Sequence, residues 1–198
     1  MNRLLKWWFR RRLKRKEFEF LFDKEVENEY VVIDTETTGL NIKKDEIISI
    51  AAIVIKDNRL LTSKAFYITL KPSVELKEEN IKIHKLRYCD LKDGMEPEVA
   101  IERFLYFIKN RQLVGYFLEF DIAMLNKYVK RSIGVPLPNR QIEISGLYHD
   151  REQKIIPQGF IDLRFNTILE KLNIPKFSAH NAFNDAIMSG LAFLKLTN

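Results

Sequence analysis

From Tyr30 onward, hydrophobic and polar positions alternate between runs that suit strands and runs that suit helices. "YVVIDTE" starts as a short buried strand. Residues 46–58 and 59–72 are two β-rich runs. Asp57-Asn58 between them is a turn signal, so they predict a hairpin that Pro72 closes. A short helix is expected around Glu79–Leu86. Residues 96–110 place Val99, Phe104, Phe107 and Ile108 at helical spacing. Residues 112–118 read as a strand and 120–133 as a helix, ended by Gly134 and Pro136. Residues 135–161 read as a long connection with at most one short element. Helices follow at 161–173, stopped by Pro175, and at 181–196. Three adjacent strands and then alternating helices and strands predict an α/β fold. Its mixed sheet would have an antiparallel edge of three strands, flanked by helices.

Charge changes this picture at one end only. Of 33 lysines and arginines, eight fall in residues 1–16, which carry no acid. The rest of the chain holds 25 basic and 27 acidic side chains, close to neutral. The net charge of +6 therefore describes a basic extension, residues 1–26, on a nearly neutral domain, residues 27–198. The extension mixes its cations with Trp7, Trp8 and Phe9 and suits a short amphipathic helix. Three roles fit it besides a solvated arm packed through its aromatics. It could grip nucleic acid phosphates, lie on an anionic membrane surface, or act as a targeting peptide. No apolar run reaches the roughly 20 residues that span a bilayer. One cysteine, Cys89, excludes an internal disulfide and fits the reducing cytoplasm.

The chemistry starts in "VVIDTETTGL", where a strand ends in two carboxylates. Residues i and i+2 of a strand share a face, so Asp34 and Glu36 project together. Two such charges raise each other's pKa and cost stability. A divalent cation relieves that repulsion, and carboxylate oxygens suit Mg²⁺ and Mn²⁺. Gly39 would let backbone approach a ligand closely. Two further acids sit at helix starts: Asp121 in "EFDIAML" and Asp185 in "HNAFNDAIM". Alone, each has an ordinary explanation as a helix-terminal or surface acid.

Together the set resembles the DnaQ-like (DEDDh) 3′–5′ exonucleases, which include the proofreading epsilon subunit of bacterial DNA polymerase III. The first motif of that family, D-x-E-T-T-G, is complete at 34–39. The second-motif acid follows a phenylalanine, as in Phe120-Asp121. The third, H-x-A-x-x-D, is met by His180, Ala182 and Asp185. The match runs over about residues 30–196. Two features depart from it. Tyr116-Phe117 stand where the family usually has His-Asn, and the stretch between Gly146 and Gly159 is longer than usual. His149 and Asp150 within that stretch read as exposed loop residues.

The resemblance implies a ribonuclease H-like fold and two divalent cations, Mg²⁺ or Mn²⁺, held by Asp34, Glu36, Asp121 and Asp185. Asp34, Glu36 and Asp185 would hold the first ion, Asp34 also the second, and Asp121 would act mainly through water. His180 would be the general base. It is five residues from Asp185, about 140° around a helix, so it should precede the helix that carries Asp185. Thr37, Thr38, Gly39, Leu40 and Phe120 would contact the terminal nucleotide, as would Glu79 and His84 in "ENIKIH". The implied function is release of nucleoside 5′-monophosphates from single-stranded or frayed DNA 3′ ends, in proofreading or repair. A DNA polymerase complex is the implied partner. An RNA 3′-end trimming exonuclease and a non-catalytic nucleic-acid-binding module stay open as alternatives.

Overall fold

The structure is a computed structural model that describes residues 3–74, 88–155, 159–178 and 181–197. It is built on one six-stranded sheet. The central strand is β1 (Glu29–Thr37), where three β-branched residues follow Tyr30. It pairs antiparallel with β2 (Ile47–Lys56) from Glu29↔Lys56 to Thr37↔Ile47. On its other side Tyr30–Val32 pair parallel with β5 (Gln112–Gly115), which in turn pairs parallel with β6 (Gln141–Glu143). The outer edge of β2 carries β3 (Arg59–Leu60) and β4 (Phe66–Thr69), both antiparallel. The expected mixed sheet with an antiparallel edge is therefore present.

Asp57 and Asn58 both adopt positive φ, as a tight hairpin turn requires. The run at 59–72 is not one strand, however. A 3₁₀ turn at Thr62–Lys64 breaks it after two residues of pairing.

Helices cover both faces of the sheet. Along the chain they are α1 (Arg3–Arg12), α2 (Tyr88–Leu91), α3 (Pro97–Ile108), α4 (Leu118–Ile133), α5 (Ile144–Ile155), α6 (Phe165–Lys171) and α7 (Ala182–Thr197). Val31 and Ile33 of β1 pack with Phe104 of α3 and Leu125 of α4. Val32, between them, faces the opposite way and packs with Ala186 and Phe193 of α7. Strand alternation thus serves two cores from one strand. The segment at 135–161 departs from expectation, because it contains β6 and the twelve-residue α5. The helix expected from 161 starts only at Phe165. The helix expected around Glu79–Leu86 lies outside the described residues.

The basic extension does form an amphipathic helix, α1, but the residues after it belong to the core. Leu13, Phe18, Leu21 and Phe22 are buried, the last three within a 3₁₀ helix at Lys16–Phe22. The Lys14 N–H donates to the Ile133 carbonyl at the C-terminal end of α4 (3.0 Å). Arg15 pairs with Glu102 of α3. A boundary at residue 26 therefore divides the chain by charge and not by packing.

Candidate active site

Strand alternation places Asp34 and Glu36 on the face of β1 that α7 covers. Asp185, in the first turn of α7, joins them there. One carboxylate oxygen from each of Asp34, Glu36 and Asp185 lies within 4.8 Å of the others. A bulge follows at once: Glu36 pairs with Ser49, but Thr37 pairs with Ile47. Such a bulge ends regular pairing and re-aims the chain beside a site.

Asp121 approaches from the other face. The pairing of β1 with β5 ends at Val32↔Val114, two residues before Asp34. Beyond that point the Thr35 N–H donates to Asp121 Oδ1 (3.0 Å), and the Thr35 hydroxyl donates to the same oxygen (2.5 Å). Asp121 is buried and turned toward β1 by these two bonds. It stands outside the three-carboxylate group but within electrostatic reach of Asp34 and Glu36. Thr35 was invisible to motif reasoning, since its role depends on where β5 stops.

The carboxylates pay for this assembly in charge. Burial holds Asp34 well above the ordinary carboxylate range, and the charges of Asp121, Asp185 and Glu36 push it further. Burial, then Asp185 and Asp121, push Glu36 up to about 8. Asp121 is raised by burial to about 7, with the Thr35 hydrogen bonds holding it back. Among the described residues, no lysine or arginine forms an ion pair with Asp34 or Glu36. A cluster of hard oxygen donors that repel one another fits a divalent cation of the Mg²⁺ or Mn²⁺ type.

The sign of the pH dependence follows. Raised folded-state pKa values mean that the folded protein binds more protons than the unfolded chain above about pH 4. Each proton lost on raising the pH toward 8 then destabilises the fold. In chelator, the melting temperature should fall between about pH 5 and 8, and Asp34→Asn should flatten that slope. A melting temperature that rises across this window would contradict the placement of the cluster.

The loop after β1 is tied down from within. The Thr38 N–H donates to the Glu46 carbonyl (2.9 Å), and the Thr38 hydroxyl accepts from the Glu46 N–H (2.9 Å) and donates to Asp45 (3.2 Å). Asp45 also accepts from the Asn41 N–H (2.7 Å). Gly39 is needed for space: a Cβ there would meet the Asp45 carboxylate at 2.6 Å. The turn expected at Gly39 thus serves a carboxylate of the chain's own. The Thr37 hydroxyl donates to the Gly39 carbonyl (2.8 Å), while Leu40 is 81% exposed at the loop tip. His180, Glu79 and His84 lie outside the described residues. His149 and Asp150 are on α5, not in a loop, and form an exposed pair (3.6 Å).

Residues 31–193 match the family RNase_T, described as Exonuclease. The chain belongs to this exonuclease family. Among its relatives, the DNA polymerase III subunit epsilon of Aquifex aeolicus is 28% identical over 174 residues, 88% of this chain and 83% of that protein. The PolC-type DNA polymerase III of Thermotoga petrophila is also 28% identical, over 175 residues, but the match spans only 12% of that protein. The 3′-5′ exonuclease DinG of Bacillus subtilis is 27% identical over 168 residues, 17% of its length. The chain thus corresponds to a small part of several longer relatives.

Solved structures show the same fold. E. coli exonuclease I in complex with a dT13 oligonucleotide aligns with TM-score 0.71 at 16% identity, over 86% of this chain and 41% of that one. Exonuclease X in complex with 5′ overhanging duplex DNA aligns with TM-score 0.63 at 18% identity, over 85% and 91%.

Proposed function

We propose that this chain is a metal-dependent 3′–5′ exonuclease that shortens single-stranded or frayed DNA 3′ ends, releasing nucleoside 5′-monophosphates. The observation that carries the reading is the convergence of Asp34, Glu36 and Asp185 from β1 and α7, with Asp121 held beside them by Thr35. These residues would hold the cations, Asp34, Glu36 and Asp185 directly and Asp121 mainly through water. When bound, such cations activate water and stabilise the charge that develops on a phosphodiester. His180, two residues before α7, is assigned the removal of a proton from the attacking water. Leu40 and Phe120 are assigned contact with the terminal nucleotide. DNA is preferred to RNA because relatives are named as DNA polymerase III components. Those names also support association with a polymerase in proofreading or repair.

Purified protein with Mg²⁺ or Mn²⁺ should shorten a 5′-labelled single strand of DNA from its 3′ end. Mismatched duplex DNA should follow, and short RNA should be slower. Faster loss of the RNA would move the reading to RNA trimming. No metal binding by calorimetry and no cleavage would move it to a non-catalytic binding module. His180→Ala should cut the rate about 100-fold or more near neutral pH while calorimetry still detects metal. Unchanged rate would remove His180 from the mechanism.

The basic helix is remote from this chemistry. Its junction with the core is at Ile133, twelve residues along α4 from Asp121, or about 18 Å. Part of its charge is matched internally, by Lys6 to Glu25 (3.7 Å) and Arg10 to Glu19 (2.8 Å). Arg11 lies over Trp7 and Arg12 over Trp8, at 4.2 and 3.8 Å. We assign α1 to the nucleic acid strand away from the cleaved end, where its contribution should weaken steeply with salt. Salt-insensitive strand binding, with co-sedimentation on anionic liposomes, would favour a membrane surface instead.

A further inference from the structure

Phe117 has no good reason to be phenylalanine on grounds of folding. It precedes α4 with φ 54° and ψ 34°, in the left-handed region. Glycine and asparagine enter that region readily, and a bulky residue pays for it. The ring does not repay the strain by burial, because Phe117 is 62% exposed. Neither backbone preference nor core packing therefore selects an aromatic side chain here.

The surroundings nevertheless hold the residue in place. The Glu143 carboxylate, at the end of β6, accepts the Phe117 N–H (3.1 Å) and the Leu118 N–H (2.8 Å). It is fixed in turn by the Ser145 N–H (3.1 Å) and hydroxyl (3.0 Å). Glu143 thereby does the work of a helix cap from a neighbouring strand. The Phe117 ring stacks nearly parallel on Phe120, with centroids 6.0 Å apart and planes 13° apart. Phe120 adjoins Asp121. The result is a stacked aromatic pair that leads directly into Asp121, with one ring open to solvent.

We propose that Phe117 is a stacking platform for an unpaired nucleobase near the 3′ end of the substrate strand. A base inside a duplex is already stacked and paired, so it presents no free face to such a platform. Phe117 therefore favours single-stranded and frayed ends through shape, without reading sequence. Stacking of a base on an aromatic side chain suits this role because every base has a π-face. The inference rests on the nuclease reading above, and its test is arranged to separate the two.

The test compares Phe117→Gly and Phe117→Trp with the unaltered protein on two 5′-labelled strands. One strand is normal; the other is abasic at its last three positions. Glycine removes the ring and suits the left-handed backbone, so the melting temperature should hold or rise. On the normal strand Phe117→Gly should raise KM about ten-fold, with kcat little changed, and Phe117→Trp should keep the original KM. On the abasic strand all three proteins should agree. An equal KM penalty on both strands, or none on the normal strand, would overturn the platform. A strand carrying 2-aminopurine near its 3′ end, bound to Asp34→Asn protein, gives a readout independent of cleavage. Its fluorescence should be quenched, and the quench should be lost when Phe117→Gly is added; a quench that persists overturns the platform. If the unaltered protein cleaves neither strand, the nuclease reading fails, and this fluorescence result alone decides the platform.

Discussion

Asp34→Ala protein should lose at least about 1,000-fold of its nuclease rate in Mg²⁺ and, in chelator, should melt at a higher temperature than the unaltered protein. Both effects have the same origin. Asp34 is the carboxylate that feels Asp121, Asp185 and Glu36 together. On the proposed assignment, its removal deletes a ligand shared by both cations. It also relieves the repulsion that Asp34 shares with Asp121, Asp185 and Glu36. An ordinary buried polar residue would behave differently, since its loss lowers stability as well as activity. Initial rates on a labelled single strand, with melting curves in chelator and in Mg²⁺, measure the two effects together. The unaltered protein should gain stability from Mg²⁺, and the variant should gain little. Full activity in Asp34→Ala protein would end the metal-nuclease reading.

A chain beginning at Leu13 should fold and melt within a few degrees of the full protein, whereas a chain beginning at residue 27 should not fold. Removal of α1 costs ion pairs such as the exposed Arg10–Glu19, each worth about 0–1 kcal/mol, and the partial burial of Phe9. Removal through residue 26 also strips Leu13, Phe18, Leu21 and Phe22 from the core. Truncating a buried leucine or phenylalanine costs about 2–5 kcal/mol. Four such side chains together cost about 8–20 kcal/mol, as much as the roughly 5–15 kcal/mol that stabilises a typical domain. Circular dichroism and thermal melts of the two chains decide it. A folded, cooperative chain from residue 27 would show that this segment merely leans on the domain.

The same segment shows where sequence reading runs out. The charge run before it hides "EFEFLF", whose acids and aromatics alternate while its Phe18 and Leu21 are fully buried. Periodicity located β1, β2, α3, α4 and α7 because each has a strongly apolar face or is buried on both sides. It missed α5, where only Ile144 and Tyr148 are buried and the apolar stripe is correspondingly thin. The break at Thr62–Lys64 carries no glycine or proline to mark it. At the site, spacing along β1 disclosed the shared face of Asp34 and Glu36, and the motif added Asp121 and Asp185. The partners that aim them were not legible. Thr35 and Glu143 act across the sheet, on positions that only the ends of β5 and β6 define.

The alternation of β1 has a further consequence for how this gene can change. Thr35 hooks Asp121 on one face while Asp34 and Glu36 meet Asp185 on the other. Inserting or deleting one codon within Glu29–Thr37 would turn the two acids into the α3–α4 core and carry apolar residues into the site in their place. A two-codon change would keep the faces but slide the acids by about 6.7 Å, out of reach of Asp185. Length variation should therefore be tolerated only outside this strand, and a library of small insertions should recover active proteins with changes after Leu40 but none within β1.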